Sequence, residues 1–376
     1  MARDSGWKGV SRLYRQEAPL SAVFQAIDEA ACGREYAYSW ASQEALLRNV
    51  LLPAASGGLS PSAAYTSLLL RKFTEASLAS GAEEMSDGLF EFFSSLQGKE
   101  DIVSGYYSFD IFLPEPSSAT SSGATLVLRV EPRQNDVGLR MWEAGYFLTE
   151  FLLANPSLVR NRHVIELGAG LGLTGMAAAA VCGAAHTSLT DCAQPVLDNL
   201  NAMVDLNGLK RASMMRGQKQ STRREGDEEM RVTIAMKDPT ISVVEIDWLD
   251  GGVVARNKLG VNDSAQHGNE LCIIAADVMY DPQYVPDLLN IIEALLKPQP
   301  GVAPPAAFVA ATKRNESTLA IFFDDIKTRE LSCIERKYSW PVDAPSPSPF
   351  YYNSASVLLF EIRYDQAAAG EAALLL

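Results

Sequence analysis

The stretch His163 to Ala179, HVIELGAGLGLTGMAAA, constrains the fold more than any other part of the chain. A short apolar run reads as a strand ending at Glu166-Leu167. Glycines follow at 168, 170, 172 and 175, and a helix then begins. Glycines at such a join let the backbone turn tightly and approach a ligand closely. Open α/β sheets bind ligands beyond the carboxyl ends of their strands, so this loop marks a cofactor site. Four glycines in one loop exceed what a tight turn requires.

Around this loop, strands and helices alternate. Tyr106 to Leu113 (YYSFDIFL) reads as a strand, and Thr125 to Val130 as its hairpin partner across the loop PEPSSATSSGA. Strands are then expected at His163 to Leu167, Thr187 to Thr190, Ser242 to Ile246, Leu271 to Ala276, Ala306 to Ala311, Ser332 to Tyr338 and Ser356 to Ile362. Helices are expected at Glu143 to Ala154, Leu173 to Cys182, Pro195 to Leu206, Tyr284 to Leu296 and Ser317 to Ile326. This order predicts a Rossmann-like α/β fold, a seven-stranded, mostly parallel sheet with helices on both faces.

Residues 1–100 read as a mainly helical N-terminal domain, ahead of an α/β domain over 101–376. Apolar clusters recur at helical spacing at Leu46, Leu47, Val50 and Leu51. They recur again at Leu68, Leu69, Leu70 and Phe73, and at Leu89, Phe90, Phe93 and Leu96. Ser60 is placed to cap a helix starting at Pro61. Residues 210–240, charged in both signs and poor in large apolar side chains, read as an exposed insertion.

The formal charge of −14, without a basic stripe, argues against a nucleic-acid partner. The five cysteines are scattered, with no C-x-x-C pair and no histidine cluster beside them, so neither a disulfide framework nor a metal site is expected. Cys182 and Cys272 read as buried small hydrophobes. His163, His186 and His267 read as surface or strand-end residues. The N-terminus MARDSGWKGVSRLYRQ lacks the apolar core of a signal peptide. No apolar run reaches the ~18–20 residues of a membrane helix, and Ala367 to Leu376 is too short to span. These features imply a cytoplasmic protein without a membrane partner; the oligomeric state is left open.

Gly170-x-Gly172-x-x-Gly175, with Asp191 about 20 residues on, fits a nicotinamide dinucleotide and S-adenosylmethionine alike. Both present an adenosine ribose to an acidic residue ending the second strand. Three further features separate them. The glycine motif begins earlier, as Glu166-x-Gly168-x-Gly170; Asp247-Trp248 ends the third strand; and the fourth, IIAADVMY, ends in Asp277-x-x-Tyr280. With Trp142 upstream in GLRMWEAG, the pattern from about Tyr106 to Ile362 resembles the seven-β-strand, class I protein lysine methyltransferases. The helical region followed by SFDIFLPE is similar to the subgroup acting on elongation factor 2. The long insertion after Gly208 departs from the compact family pattern.

The resemblance implies S-adenosylmethionine as cofactor and a protein lysine as acceptor. By position it places Trp142 beside the cofactor and Gly168, Ala169 and Gly170 along its methionine end. It places Asp191 on the ribose hydroxyls, Trp248 against the adenine and Ala276 at the pocket floor. Asp277 and Tyr280 then face the substrate amine. Plainer roles exist for several of these: Trp142 and Trp248 as core aromatics, Asp191 as the cap of the helix near Pro195, and Tyr280 as a packing residue. Competing functions are a nicotinamide oxidoreductase, a non-catalytic binding module and a small-molecule methyltransferase.

Overall fold

The computed structural model describes residues 4–365 apart from 57, 82–83, 100–103, 115–122, 132–136, 213–238, 262–269, 300–301, 315 and 345. Most of the 210–240 insertion, His267 and the apolar end Ala367 to Leu376 lie outside the described residues.

The described residues between 4 and 94 include helices α1 (Asp4–Arg15), α2 (Leu20–Ala30), α3 (Trp40–Leu46), α4 (Leu52–Ser56), α5 (Ala63–Ala79) and α6 (Asp87–Ser94), with a π-helical turn Leu47–Leu51 between α3 and α4. Their buried side chains form one cluster, including Tyr14, Ile27, Leu46, Leu51, Leu70 and Phe73. Helical periodicity decides which of the expected clusters face inward. α5 buries Thr66, Leu69, Leu70, Phe73 and Ser77 along one stripe, so Leu68, off that stripe, is exposed. Phe90 is likewise exposed, because α6 turns Leu89 inward. The expected cap shifts by two residues. Ser62, not Ser60, accepts the Tyr65 N–H, and α5 starts at Ala63. Tertiary bonds hold the preceding segment extended: the Tyr106 N–H donates to Ser60 O, and the Ser62 N–H to Glu17 Oε1 at 2.6 Å.

Strands β1 (Gly105–Ile111) and β2 (Ala124–Val130) form an antiparallel hairpin. The Asn207 side chain docks it, accepting the Val127 N–H at 2.8 Å and donating to Val127 O at 2.8 Å, as a neighbouring strand would. The main sheet comprises β3 (His163–Leu167), β4 (His186–Asp191), β5 (Thr240–Glu245), β6 (Leu271–Ala276), β7 (Ala306–Thr312), β8 (Leu331–Arg336) and β9 (Val357–Tyr364). Its order is β5-β4-β3-β6-β7-β9-β8; β3 to β7 run parallel, and β9 is antiparallel to both β7 and β8.

Successive strand residues face opposite sides and split the core in two. Val164, Ile274 and Phe308 pack with α7 (Glu143–Ala154), α8 (Leu173–Ala180) and α9 (Gln194–Leu206). Ile165, Ile273 and Val309 pack with α10 (Gly252–Lys258), α11 (Val285–Leu296) and α12 (Glu316–Lys327). The chain order reverses direction at β3, with β4 on one side and β6 on the other, which opens a crevice beyond their carboxyl ends. His163 is buried at the start of β3 rather than on the surface, with Nε2 2.9 Å from Ser188 Oγ. Cys182 and Cys272 are buried.

Helix α1 and the residue after it meet the segment 348–351. Arg12 donates to Ser348 O at 2.6 Å; Gln16 donates to Pro349 O at 2.7 Å and accepts the Tyr351 N–H at 3.2 Å.

Candidate active site

The crevice is a cavity of about 490 Å³. All nine residues singled out in the sequence line it: Trp142, Gly168, Ala169, Gly170, Asp191, Trp248, Ala276, Asp277 and Tyr280. The volume suits a ligand of nucleoside size.

The floor is the loop after β3. Gly168 (φ +61°) and Gly170 (φ +53°) adopt the left-handed backbone that disfavours a side chain. A methyl on Gly168 would lie 2.9 Å from Val278 Cγ1 and 3.5 Å from the Trp248 ring. The bare backbone there is thus part of the cavity's shape. The Ala169 N–H donates to Thr190 O at 2.7 Å, tying the loop to the end of β4.

Asp191 ends β4. Its Oδ1 accepts the N–H groups of Cys192 (2.9 Å) and Ala193 (3.1 Å), and its Oδ2 that of Gly170 at 3.3 Å. Burial raises its carboxyl above the ordinary range, while these N–H groups pull it back. Helix α9 has Ala193 at its N-cap with no side-chain cap, so Asp191 bonds the loop after β3 and the turn before α9 rather than capping the helix. Beneath lies Glu166, accepting the Gly175 N–H at 2.9 Å; burial pushes its carboxyl up to about 8.

The aromatic walls come from two places. Trp142 precedes α7 and donates through Nε1 to Val137 O at 3.0 Å. Trp248 follows β5 in a short turn that Asp247 caps by accepting the Leu249 N–H. Both residues line the cavity, although Trp248 also packs against the core of its side of the sheet.

At the mouth, Asp277 follows β6 in a left-handed conformation (φ +53°), its own N–H bonded to Ala310 O. Its carboxylate is turned towards the end of β7. Oδ1 accepts the Thr312 N–H at 2.7 Å, and Oδ2 accepts Thr312 Oγ1 at 2.8 Å and lies 3.5 Å from Arg314 Nη2. Tyr280 is 60% exposed, so it rims the cavity instead of packing into the protein.

The cavity also takes in Arg140, Glu166 and Leu249. Arg140 lies in the GLRMWEAG segment, and a charge two residues before Trp142 was the available signal. Among the described residues, no group of three or more histidine, cysteine or acidic side chains is placed to hold a metal ion.

The seven-strand sheet, with a glycine loop, an acidic strand end and an acidic mouth at the switch point, fits the class I methyltransferase pattern expected from the sequence. A family model described as lysine methyltransferase matches residues 122–220. The Homo sapiens protein-lysine N-methyltransferase EEF2KMT is 28% identical over 266 residues, 71% of each chain. Its Bos taurus counterpart is 27% identical over 282 residues, 74% of this chain and 76% of that one. The Chaetomium thermophilum protein-lysine N-methyltransferase EFM3 is 26% identical over 226 residues, covering 60% of this chain and 57% of its own. The chain is thus similar over most of its length to protein-lysine methyltransferases, and these findings support an S-adenosylmethionine-dependent methyltransferase.

Proposed function

We propose that this enzyme methylates the ε-amine of a protein lysine, and that the protein is elongation factor 2. The observation that carries the reading is the convergence of all nine motif positions on one cavity, open at Asp277 and Tyr280. The names of the relatives and the sequence resemblance support the choice of elongation factor 2.

Bound S-adenosylmethionine supplies a methyl group on a positively charged sulfonium. In this reading Asp191 offers its carboxylate to the ribose hydroxyls, and the bare backbone of Gly168, Ala169 and Gly170 receives the methionine end. Trp248 flanks the adenine, Ala276 closes the pocket floor, and Trp142 packs alongside the cofactor. A carboxylate already aligned by backbone N–H groups pays little to hold a diol.

A lysine of pKa ~10.4 is neutral about once in 2,500 at pH 7, so freeing its lone pair costs roughly 4.6 kcal/mol. Asp277 would stabilise the ammonium, which makes it a recruiting and orienting group rather than a base. Thr312 fixes its oxygens, so the amine would meet a carboxylate of set direction. Tyr280 shapes the rim around the amine. A neighbouring positive charge and desolvation then favour loss of the proton, and alignment supplies most of the acceleration.

The test uses tritiated S-adenosylmethionine and a cytosolic extract. One labelled band of the size of elongation factor 2, lost in Asp277→Ala with cofactor affinity kept, is the expected result. A single band of another size would discard this substrate and keep the enzyme class. The reading includes action in the cytosol, which fractionation of the tagged chain checks. No helix among the described residues is long and apolar enough to cross a membrane.

A further inference from the structure

Arg314 lies just after β7, beside the strand whose end carries Asp277. Its guanidinium carbon sits 4.5 Å from the centroid of the Trp142 ring, and its Nη2 is 3.5 Å from Asp277 Oδ2. The Arg314 side chain is 49% exposed, whereas that of Asp277 is only 11% exposed. A cation free to swing into solvent therefore covers an aromatic face and a carboxylate edge at the cavity mouth. An arriving ammonium would seek the same two partners, since ring face and carboxylate each attract a positive charge. A second cation there meets the repulsion of the first, so the two compete for the pair.

We propose that Arg314 is a specificity-determining residue, a resident cation on the acceptor-amine subsite that an incoming lysine must displace. The proposal rests on the reading above that the acceptor is an amine received at Asp277. Its consequence is selection by context. A free amine in solution competes against a tethered guanidinium and loses. A lysine held at the mouth by a docked protein arrives at high effective concentration and wins. Thr312 keeps Asp277 in place during the exchange, because its two bonds to the carboxylate do not involve Arg314.

The test titrates the full chain, saturated with S-adenosylhomocysteine, with Nα-acetyl-lysine methylamide by calorimetry. The matched norleucine compound serves as the uncharged control. In Arg314→Ala and Arg314→Gln the lysine probe should bind about tenfold tighter than in wild type, with norleucine and S-adenosylhomocysteine unchanged. Asp277→Asn added to Arg314→Ala should remove the gain. Equal or weaker lysine binding in both single variants, no detectable binding to either, or an equal gain for norleucine would overturn the proposal. Failure of the substrate reading looks different: the probe gains affinity as described, yet no variant labels elongation factor 2. Labelled elongation factor 2 with no effect of Arg314 on the probe would keep that reading and discard this one.

Discussion

Glu166→Gln isolates the buried carboxyl under the glycine loop after β3. Glu166 is 3% exposed at the end of β3, and burial raises its pKa from the ordinary 4.5 to about 8. The folded protein keeps this proton up to about pH 8, while the unfolded chain releases it near 4.5. Between those values the native state binds more protons, so the contribution to stability is full below about pH 4.5 and is lost as the pH rises towards 8. At about 1.36 kcal/mol per pH unit, the interval sets a ceiling of about 5 kcal/mol. Glutamine is uncharged at every pH, matches the acid in shape and keeps an oxygen for the Gly175 N–H. The variant should lack that slope. Urea denaturation at about pH 5, 6.5 and 8 measures it: wild type should lose several kcal/mol relative to the variant between the lowest and highest pH. Parallel curves for the two proteins would refute the claim that Glu166 is buried as the neutral acid.

Two further substitutions probe the loop and the hairpin. Asp191→Ala should weaken S-adenosylmethionine binding about ten- to a hundredfold by calorimetry, the range of a lost charge-assisted hydrogen-bond set, and by more than Asp277→Ala does. Asn207→Ala leaves Val127 with an unpaired N–H and carbonyl, so it should cost about 1–3 kcal/mol in denaturant titration and speed amide exchange in β1 and β2 before the main sheet.

The central sheet was legible where burial is continuous. His163–Leu167 and Leu271–Ala276 lie where the apolar runs placed them, because strands covered on both faces carry their signal in every residue. Helix α10 gave no such signal. It has seven residues, begins at the second of two glycines and buries only Ala255, so it exists by packing on α11 and not by its own pattern. The start of α5 was misplaced for a related reason, since Glu17 and Tyr106, remote in sequence, hold residues 60–62 extended.

Much of the cavity's lining was readable because it comes from one glycine loop and the ends of successive parallel strands. The mouth is different. Thr312 and Arg314 acquire meaning only because β7 lies beside β6, and Trp142 reaches Arg314 across 172 positions of chain. Residues with no motif of their own are invisible until the sheet order is known.

The bonds from Arg12 and Gln16 to residues 348–351 have a bearing on synthesis. They join positions 333–336 apart. A ribosome adding about 5–20 residues each second delivers the second partner roughly 15–70 s after the first. Throughout that wait the newborn helical segment has the buried-to-be side chain of Gln16 exposed to the cell. A segment made late therefore latches one made early, and a nascent chain stalled before residue 348 should be an open target for chaperones and proteases.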